Sequence, residues 1–280
     1  MGLSHRTVII VQARMESQRY PGKILADFCG QPMLVFQLAR LRALDNASRN
    51  QHLIVASVDT PLNASEVAPL MRQHGYTCWL SKRAPDDVLG RFYEVAEHLK
   101  ADRIVRITGD CPLLSADVAQ GCMDMHGLDD DHVGIAPEWG DGFDCEVISM
   151  GALEAAHKGA TLASDREHVT PYIFRPSHHF DCATSPCPLD LSWMRCSVDT
   201  KEDLFLVEKI ATVCLKQYGP DFTWRHVWAA CVNEPNFRSA MEGREHNPAY
   251  VAQVAAEQRT VPTGMTWRQI RYDLEPQGKV

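Results

Sequence analysis

Apolar residues recur along this chain in two alternating rhythms, short β-branched runs and longer stretches with leucine every three or four positions. Residues 7–11, Thr-Val-Ile-Ile-Val, read as a buried first strand. Within residues 33–44, Leu34, Leu38 and Leu41 share one stripe, which predicts an amphipathic helix laid against a sheet. Residues 52–58 read as a second strand, 59–61 as a turn, and 64–74 as a helix stopped by Gly75. A short third strand at 76–79 and a loop to Pro85 precede a helix opened by Asp86 and Asp87 and ending near Lys100. Residues 103–107 form the fourth expected strand, and Ser115 caps a helix to His126. Further strands are expected at 131–135 and 141–148, with Ser149 capping a helix to Ala156. Residues 164–172 read as one more helix, and another strand is expected to end at Asp199. There Thr200 and Asp203 make a capping-box-like pair, and Leu204, Val207, Ile210, Ala211 and Leu215 turn inward. Strand and helix in alternation predict an α/β fold on a mostly parallel sheet.

After Gly219-Pro220 the pattern weakens: a helix at 223–233, a less periodic region at 236–256, and a Pro- and Gly-bearing tail from Thr260. The expected organisation is a main domain over 1–218 and a helical extension with a loose tail over 219–280, an appendage offering a homodimer contact. Apolar runs fall far short of the roughly 18 residues that cross a bilayer. The start leads straight into the first strand without a signal-peptide layout, so a cytoplasmic location is expected. A net charge of −8 argues against a nucleic-acid partner. It leaves a nucleotide open, because Arg6 to Lys23 is locally basic with only Glu16 opposing. The ten cysteines contain no Cys-x-x-Cys pair and read as reduced thiols. Cys182, Cys187, His178 and His179 are the one set that suggests zinc, and the segment between the two cysteines reads as loop.

The chemistry concentrates in three stretches. The first strand empties into Gln12-Ala13-Arg14-Met15-Glu16-Ser17-Gln18-Arg19-Tyr20-Pro21-Gly22-Lys23. An α/β sheet places its ligand at such a strand end. Arg14, Arg19, Lys23 and the Ser17 hydroxyl suit a polyphosphate, arginine as a planar fork and lysine as a mobile point charge. The loop is neither a Walker A sequence nor a Gly-x-Gly-x-x-Gly turn. The second stretch, Thr108-Gly109-Asp110-Cys111-Pro112-Leu113, ends the fourth strand, which aims Asp110 at the same crevice as a metal ligand or a turn aspartate. In the third, Asp199 stands just ahead of a helix start. Asp110 and Asp199 with a cationic loop suggest magnesium held by two carboxylates and substrate phosphates, with Arg14, Arg19 and Lys23 facing it across the cleft. Asp144 and Glu146, two apart on one expected strand face, suit hydroxyls or an amine of an acceptor. Arg166 and His168 differ by roughly 200° around a helix, so at most one of them should touch a ligand, and His168 is either a general base or structural.

Four motifs in order resemble the spore-coat polysaccharide protein F group, relatives of enzymes that make CMP-linked acidic sugars. They are the Gln-Ala-Arg-Met loop; Asp87-Val88-Leu89-Gly90-Arg91-Phe92 with Ile107 to Leu113; Arg166-Glu167-His168-Val169-Thr170-Pro171-Tyr172; and Ser197-Val198-Asp199-Thr200-Lys201-Glu202-Asp203-Leu204. The resemblance covers about residues 7–215 and implies a Rossmann-like, glycosyltransferase-A-type fold. It implies CTP as donor, Mg2+ at Asp110 and Asp199, and attack by an oxygen of an acidic or polar acceptor to give a CMP-linked product and pyrophosphate. Under it Gln12, Ala13, Arg14, Ser17, Arg19, Lys23, Asp87, Arg91, Thr108 and Gly109 hold the nucleotide, and Arg14, Lys23 and Asp110 are catalytic. Asp144, Glu146, Arg166 and His168 are assigned to the acceptor. Glu16 and Tyr20 depart from the small residue and the leucine common in that group. A glycosyltransferase would carry Asp-x-Asp at the end of the fourth strand, where this chain has Asp-Cys-Pro. A sugar-nucleotide binder without turnover is the third reading, weakened by the joint presence of Lys23, Asp110 and Asp199.

Overall fold

The structure, a computed structural model, describes residues 5–58, 60–127, 129–175, 178–241 and 248–257. Strand β1 (Thr7–Gln12) runs through the middle of a seven-stranded sheet. Its alternate side chains enter two different cores, Val8 and Ile10 on one side and Ile9 and Val11 on the other. Burial on both faces is why this strand is apolar at successive positions. A small hairpin, β2 (Asp27–Phe28) and β3 (Gln31–Pro32), turns at Cys29 and Gly30, both with positive φ. Such a turn matches the right-handed twist of its strands. Then come α1 (Met33–Leu41), β4 (Gln51–Val58), α2 (Ala68–Gln73), β5 (Thr77–Ser81), α3 (Val88–His98), β6 (Arg103–Thr108) and α4 (Ala116–Met125). Strands β5, β4, β1 and β6 lie side by side and parallel, as the alternating pattern predicts.

The second half adds β7 (His132–Ile135), β8 (Cys145–Ser149), α5 (Met150–Gly159), α6 (Ala163–His168) and β9 (Cys182–Ser185). Strand β8 is antiparallel to both β6 and β7, and β9 runs parallel to β7, giving the order β5-β4-β1-β6-β8-β7-β9. Helices α7 (Lys201–Tyr218), α8 (Trp224–Asn233), α9 (Pro235–Met241) and α10 (Pro248–Ala256) complete the described chain. The Thr200–Asp203 capping box opens α7 as its sequence indicates. Helices α3 and α5 cover one core; α1, α4, α7 and α8 cover the other.

Several local expectations shift. The segment from Cys182, read as loop, is β9, because β7 supplies a partner edge that no local pattern announces. No strand runs into Asp199; a single bridge, Asp141 with Arg195, holds that segment. The strand expected from 141 begins at Cys145, which leaves Asp144 ahead of it. The helix expected at 64–74 opens as a π-helical turn (Asn63–Val67) before α2, and α6 stops at His168 rather than at Tyr172. Packing also continues across the boundary expected at 218/219. Phe222, Trp224, Val227 and Cys231 belong to the same buried cluster as Ile9 and Val11. Asp59 of the expected turn, Leu128 and the tail from Thr260 lie outside the described residues. Among the described residues no helix is long and apolar enough to cross a membrane.

Candidate functional site

Strand β1 pairs with β4 on one edge and β6 on the other, so the connections leaving β1 and β6 part above a crevice. The two strand ends nearly touch. Gly109 N–H donates to the Gln12 carbonyl at 2.8 Å, and a Cβ at residue 109 would stand 2.7 Å from that oxygen. Only glycine fits there. A cleft of about 560 Å³ opens over this point. Gln12, Ala13, Arg14, Ser17, Arg19 and Lys23 line it from the first loop, and Thr108, Gly109 and Asp110 from the end of β6. Asp144, Glu146, His168 and Asp199 also reach it.

The charged centre of the cleft is a knot. The loop closes with a Gly22 N–H bond to the Met15 carbonyl, and Gly22 is left-handed at φ 75°. Lys23 follows, only 7% exposed. Its ammonium donates to Asp110 Oδ2 at 2.8 Å, Asp199 Oδ1 at 3.2 Å and the Val198 carbonyl at 2.7 Å. Arg195 bridges Asp141 Oδ2 at 2.6 Å and Asp199 Oδ2 at 2.9 Å, and Arg19 reaches the same Asp199 oxygen at 3.0 Å. Burial disfavours charge on Lys23, but Asp110 and Asp199 outweigh it and hold the ammonium above its ordinary value. The Asp110 carboxyl is likewise pushed up by burial and brought below its usual range by Lys23. Sequence reading set Lys23 and Arg19 across the cleft from the two aspartates; the structure sets them on those carboxylates. Two carboxylates this close repel one another unless cations stand beside them.

One cation therefore touches Asp110 Oδ2 and Asp199 Oδ1 together. Among the described residues no three His, Cys, Asp or Glu side chains gather as a metal cage. Two hard carboxylate oxygens are the donors magnesium takes together with water and substrate phosphate, and the Lys23 ammonium stands on both of them.

Outside the cleft the loop is held by its own departures from the expected pattern. Glu16 does not line the cleft: Thr60 Oγ1 donates to Oε1 at 2.6 Å, and Asn63 Nδ2 donates to both oxygens at 2.9 and 2.8 Å. Met15 N–H donates to Asn63 Oδ1 at 3.0 Å, so one buried amide from the π-helical turn clamps the loop twice. Burial pushes the Glu16 carboxyl up, yet the bonds from Thr60 and Asn63 bring it below its ordinary value. Arg14 Nη1 donates to the Pro85 carbonyl at 2.6 Å, and Arg91 Nη2 reaches the same carbonyl at 3.2 Å.

Asp87, Arg91 and Arg166 do not line the cleft. Asp87 caps α3, accepting from Gly90 N–H at 3.1 Å, and pairs with Arg166. Arg166 also donates to the His157 carbonyl at 2.9 Å. Arg91 is wholly buried, which brings its guanidinium down to about 10. Asp87 and Arg166 pair with each other, and Arg91 reaches the Ala84 and Pro85 carbonyls through Nη2, so the structure brings none of the three onto the cleft to which the motifs assigned them.

At the other end Glu146 is 2% exposed and engaged by Arg106 and by His132 Nε2, whose ring stands edge-on to Phe174. Asp144 accepts from Gly142 N–H at 3.1 Å. His168 ends α6 at a γ-turn: Thr170 N–H donates to the His168 carbonyl at 2.9 Å, and the intervening Val169 has φ 73° and ψ −56°. A β-branched residue in that conformation is strained. Gln253 on α10 donates through Nε2 to Glu167 Oε2 at 3.2 Å, which turns its Oε1 to His168 Nε2 at 3.0 Å. His168 therefore carries a proton on Nε2. Burial first, then Arg106, brings its imidazole down to about 4.

This geometry agrees with the comparisons to known proteins. Residues 8–209 match the family model described as cytidylyltransferase. The chain belongs to the cytidylyltransferase family. Within it, the spore coat polysaccharide biosynthesis protein SpsF of Bacillus subtilis is 28% identical over 203 residues, 70% of this chain and 82% of that protein. A 3-deoxy-manno-octulosonate cytidylyltransferase of Mesorhizobium japonicum is 34% identical over 112 residues, 39% of this chain and 43% of that enzyme. Among solved structures, a cytidylyltransferase from Leptospira borgpetersenii superposes with a TM-score of 0.75 at 23% identity, covering 86% of this chain and 98% of that one. At that identity the likeness speaks for the fold.

Sequence reasoning did not select Arg106, Asp141, Arg195 or Gln253, all of which line the cleft of this cytidylyltransferase. For Arg106 a signal existed: strand alternation puts it on one face with Thr108, ahead of Asp110. Gln253 carries none, since its partners Glu167 and His168 lie in a distant segment, and Arg195, with Asp199 four positions on, owes its place in the cleft also to the remote Asp141.

Proposed function

We propose that this cytidylyltransferase transfers CMP from CTP to an acidic sugar or a related small acceptor, releasing pyrophosphate, in polysaccharide or surface-glycan synthesis. The observation that carries the reading is the meeting of Lys23, Arg19, Asp110 and Asp199 in one cleft at the ends of β1 and β6. Arg14, Arg19 and Lys23 bind the β- and γ-phosphates and take up charge as pyrophosphate leaves. Ser17, Thr108 and the backbone of Gln12, Ala13 and Gly109 hold the nucleotide beside them. Asp110 and Asp199 are the residues that would hold magnesium, which when bound would supply Lewis-acid polarisation of the phosphoryl oxygens. The acceptor enters from the side of Asp144, Arg106 and His168, its oxygen directed in line at the α-phosphorus. Glu146, with its oxygens engaged by Arg106 and His132, positions Arg106 and does not itself hold the acceptor. The protein forms no covalent bond to the nucleotide; positioning and charge carry the rate.

The test is incubation with CTP, magnesium and a panel of acidic sugars, with pyrophosphate and CMP-linked product measured against ATP, GTP and UTP controls. Pyrophosphate release that requires both CTP and an acid sugar is expected. Release of a nucleoside diphosphate from a nucleotide-sugar instead would move the protein to glycosyl transfer.

A further inference from the structure

We infer that Lys23 is the resident counter-ion of the Asp110–Asp199 pair, and that it keeps a divalent ion from those carboxylates until a nucleoside triphosphate draws it away. The inference rests on the proposed function, which supplies the metal and the triphosphate. A lysine ammonium has three N–H donors and no acceptor. All three are taken up inside the protein, by Asp110 Oδ2, Asp199 Oδ1 and the Val198 carbonyl. In this arrangement Lys23 has no donor left for a phosphate. It also stands on the two oxygens that a metal needs. A dication bound to those same oxygens would lie within a few ångströms of the ammonium, and like charges at that distance in a sheltered cleft exclude one another.

For a metal to reach those two oxygens the ammonium has to move off them. Lysine is a compact charge on a flexible four-carbon stem, and a triphosphate arriving along the loop offers it anionic oxygens in exchange for the carboxylates. Arg195, which has no part in holding the phosphates, stays on Asp199 Oδ2, so that the oxygen released by Lys23 is Oδ1. The carboxylates then meet the metal at the moment the phosphates do. Nucleotide and metal binding become coupled through one side chain, and the empty enzyme does not hold the ion alone.

The experiment is a titration of the nucleotide-free full chain with Mn2+, free ion being read by electron paramagnetic resonance. Lys23→Met should bind Mn2+ about tenfold or more tightly than the unaltered protein, a gain of one decade or more in affinity. Adding Asp110→Asn to Lys23→Met should remove that gain, whereas Asp110→Asn alone should change nucleotide-free binding by less than about twofold. Equal Mn2+ affinity with and without Lys23, or a gain that survives Asp110→Asn, overturns the inference. If circular dichroism shows Lys23→Met to be unfolded, Lys23→Gln is titrated in its place. The comparison of unaltered protein with Asp110→Asn also stands by itself: tight nucleotide-free binding lost in Asp110→Asn overturns the idea. Failure to release pyrophosphate from CTP would sink the proposed function and leave this titration readable.

Discussion

Arg195 is 6% exposed and joins two carboxylates from different loops. Removing a buried partner leaves charge uncompensated, which costs far more than the pair contributes when intact. Arg195→Met should lower stability by about 3 kcal/mol in urea unfolding. It should also lower kcat/KM for CTP by about a hundredfold, as Asp199 loses its fixed position. His168 gives the second residue-scale prediction. Its folded value near 4 lies below the ordinary 6.5 of an unfolded chain, so between those values the unfolded state takes the proton first. Stability from this group is complete above about pH 6.5 and falls as pH drops toward 4, by at most on the order of 3 kcal/mol. His168→Asn should flatten that part of the curve, as read from urea midpoints across the range.

At the scale of elements, the first loop is shaped by a neighbour it meets only in space. Glu16 and Asn63 act as one clamp, so their loss should not add. Glu16→Ala and Asn63→Ala should each raise KM for CTP about fivefold, with the double variant no worse than either, because contacting residues couple. Helix α10 plays a similar part at the end of the cleft proposed for the acceptor, where Gln253 holds both Glu167 and His168. Gln253→Ala should raise KM for the acceptor about fivefold while leaving KM for CTP within about twofold, a split that general loss of stability would not produce. Both clamps explain why the loops look under-determined in the sequence. Each uses a polar side chain from an element whose own local pattern is ordinary.

Among the described residues, the packing around β1 takes in side chains beyond Gly219, where the periodicity of the sequence weakens. Phe222 and Trp224 are 2% and 3% exposed, and Trp224 stands edge-on to Trp139, 5.0 Å between ring centroids. A chain ending at residue 218 would expose the apolar surface that α8 covers, and aromatic side chains each bury roughly 150–250 Å². Such a chain should lose its near-ultraviolet circular dichroism and its cooperative thermal transition.

Much of this architecture was legible without coordinates. β1, β4, α3, β6 and α7 follow from buried β-branched runs, helical stripes and caps, each a property of neighbours along the chain. The placing of the first loop and Asp110 on one cleft follows too, because a strand's end is where an α/β sheet leaves polar groups uncovered. Distance across the cleft was not legible. Strand ends place Lys23 and Asp110 at one end of the sheet, while the strand expected to carry Asp199 there does not form, and charges of opposite sign can face each other over a ligand or close on one another. Which of these holds depends on ångströms set by the two loops together. The same reason hid the pairing of Arg195 with Asp141, of Gln253 with His168 and of β9 with β7, whose members lie 50 to 85 positions apart. Local order is written in periodicity and caps; pairing between remote segments exists only once the chain has folded and the competing partners have been brought within reach.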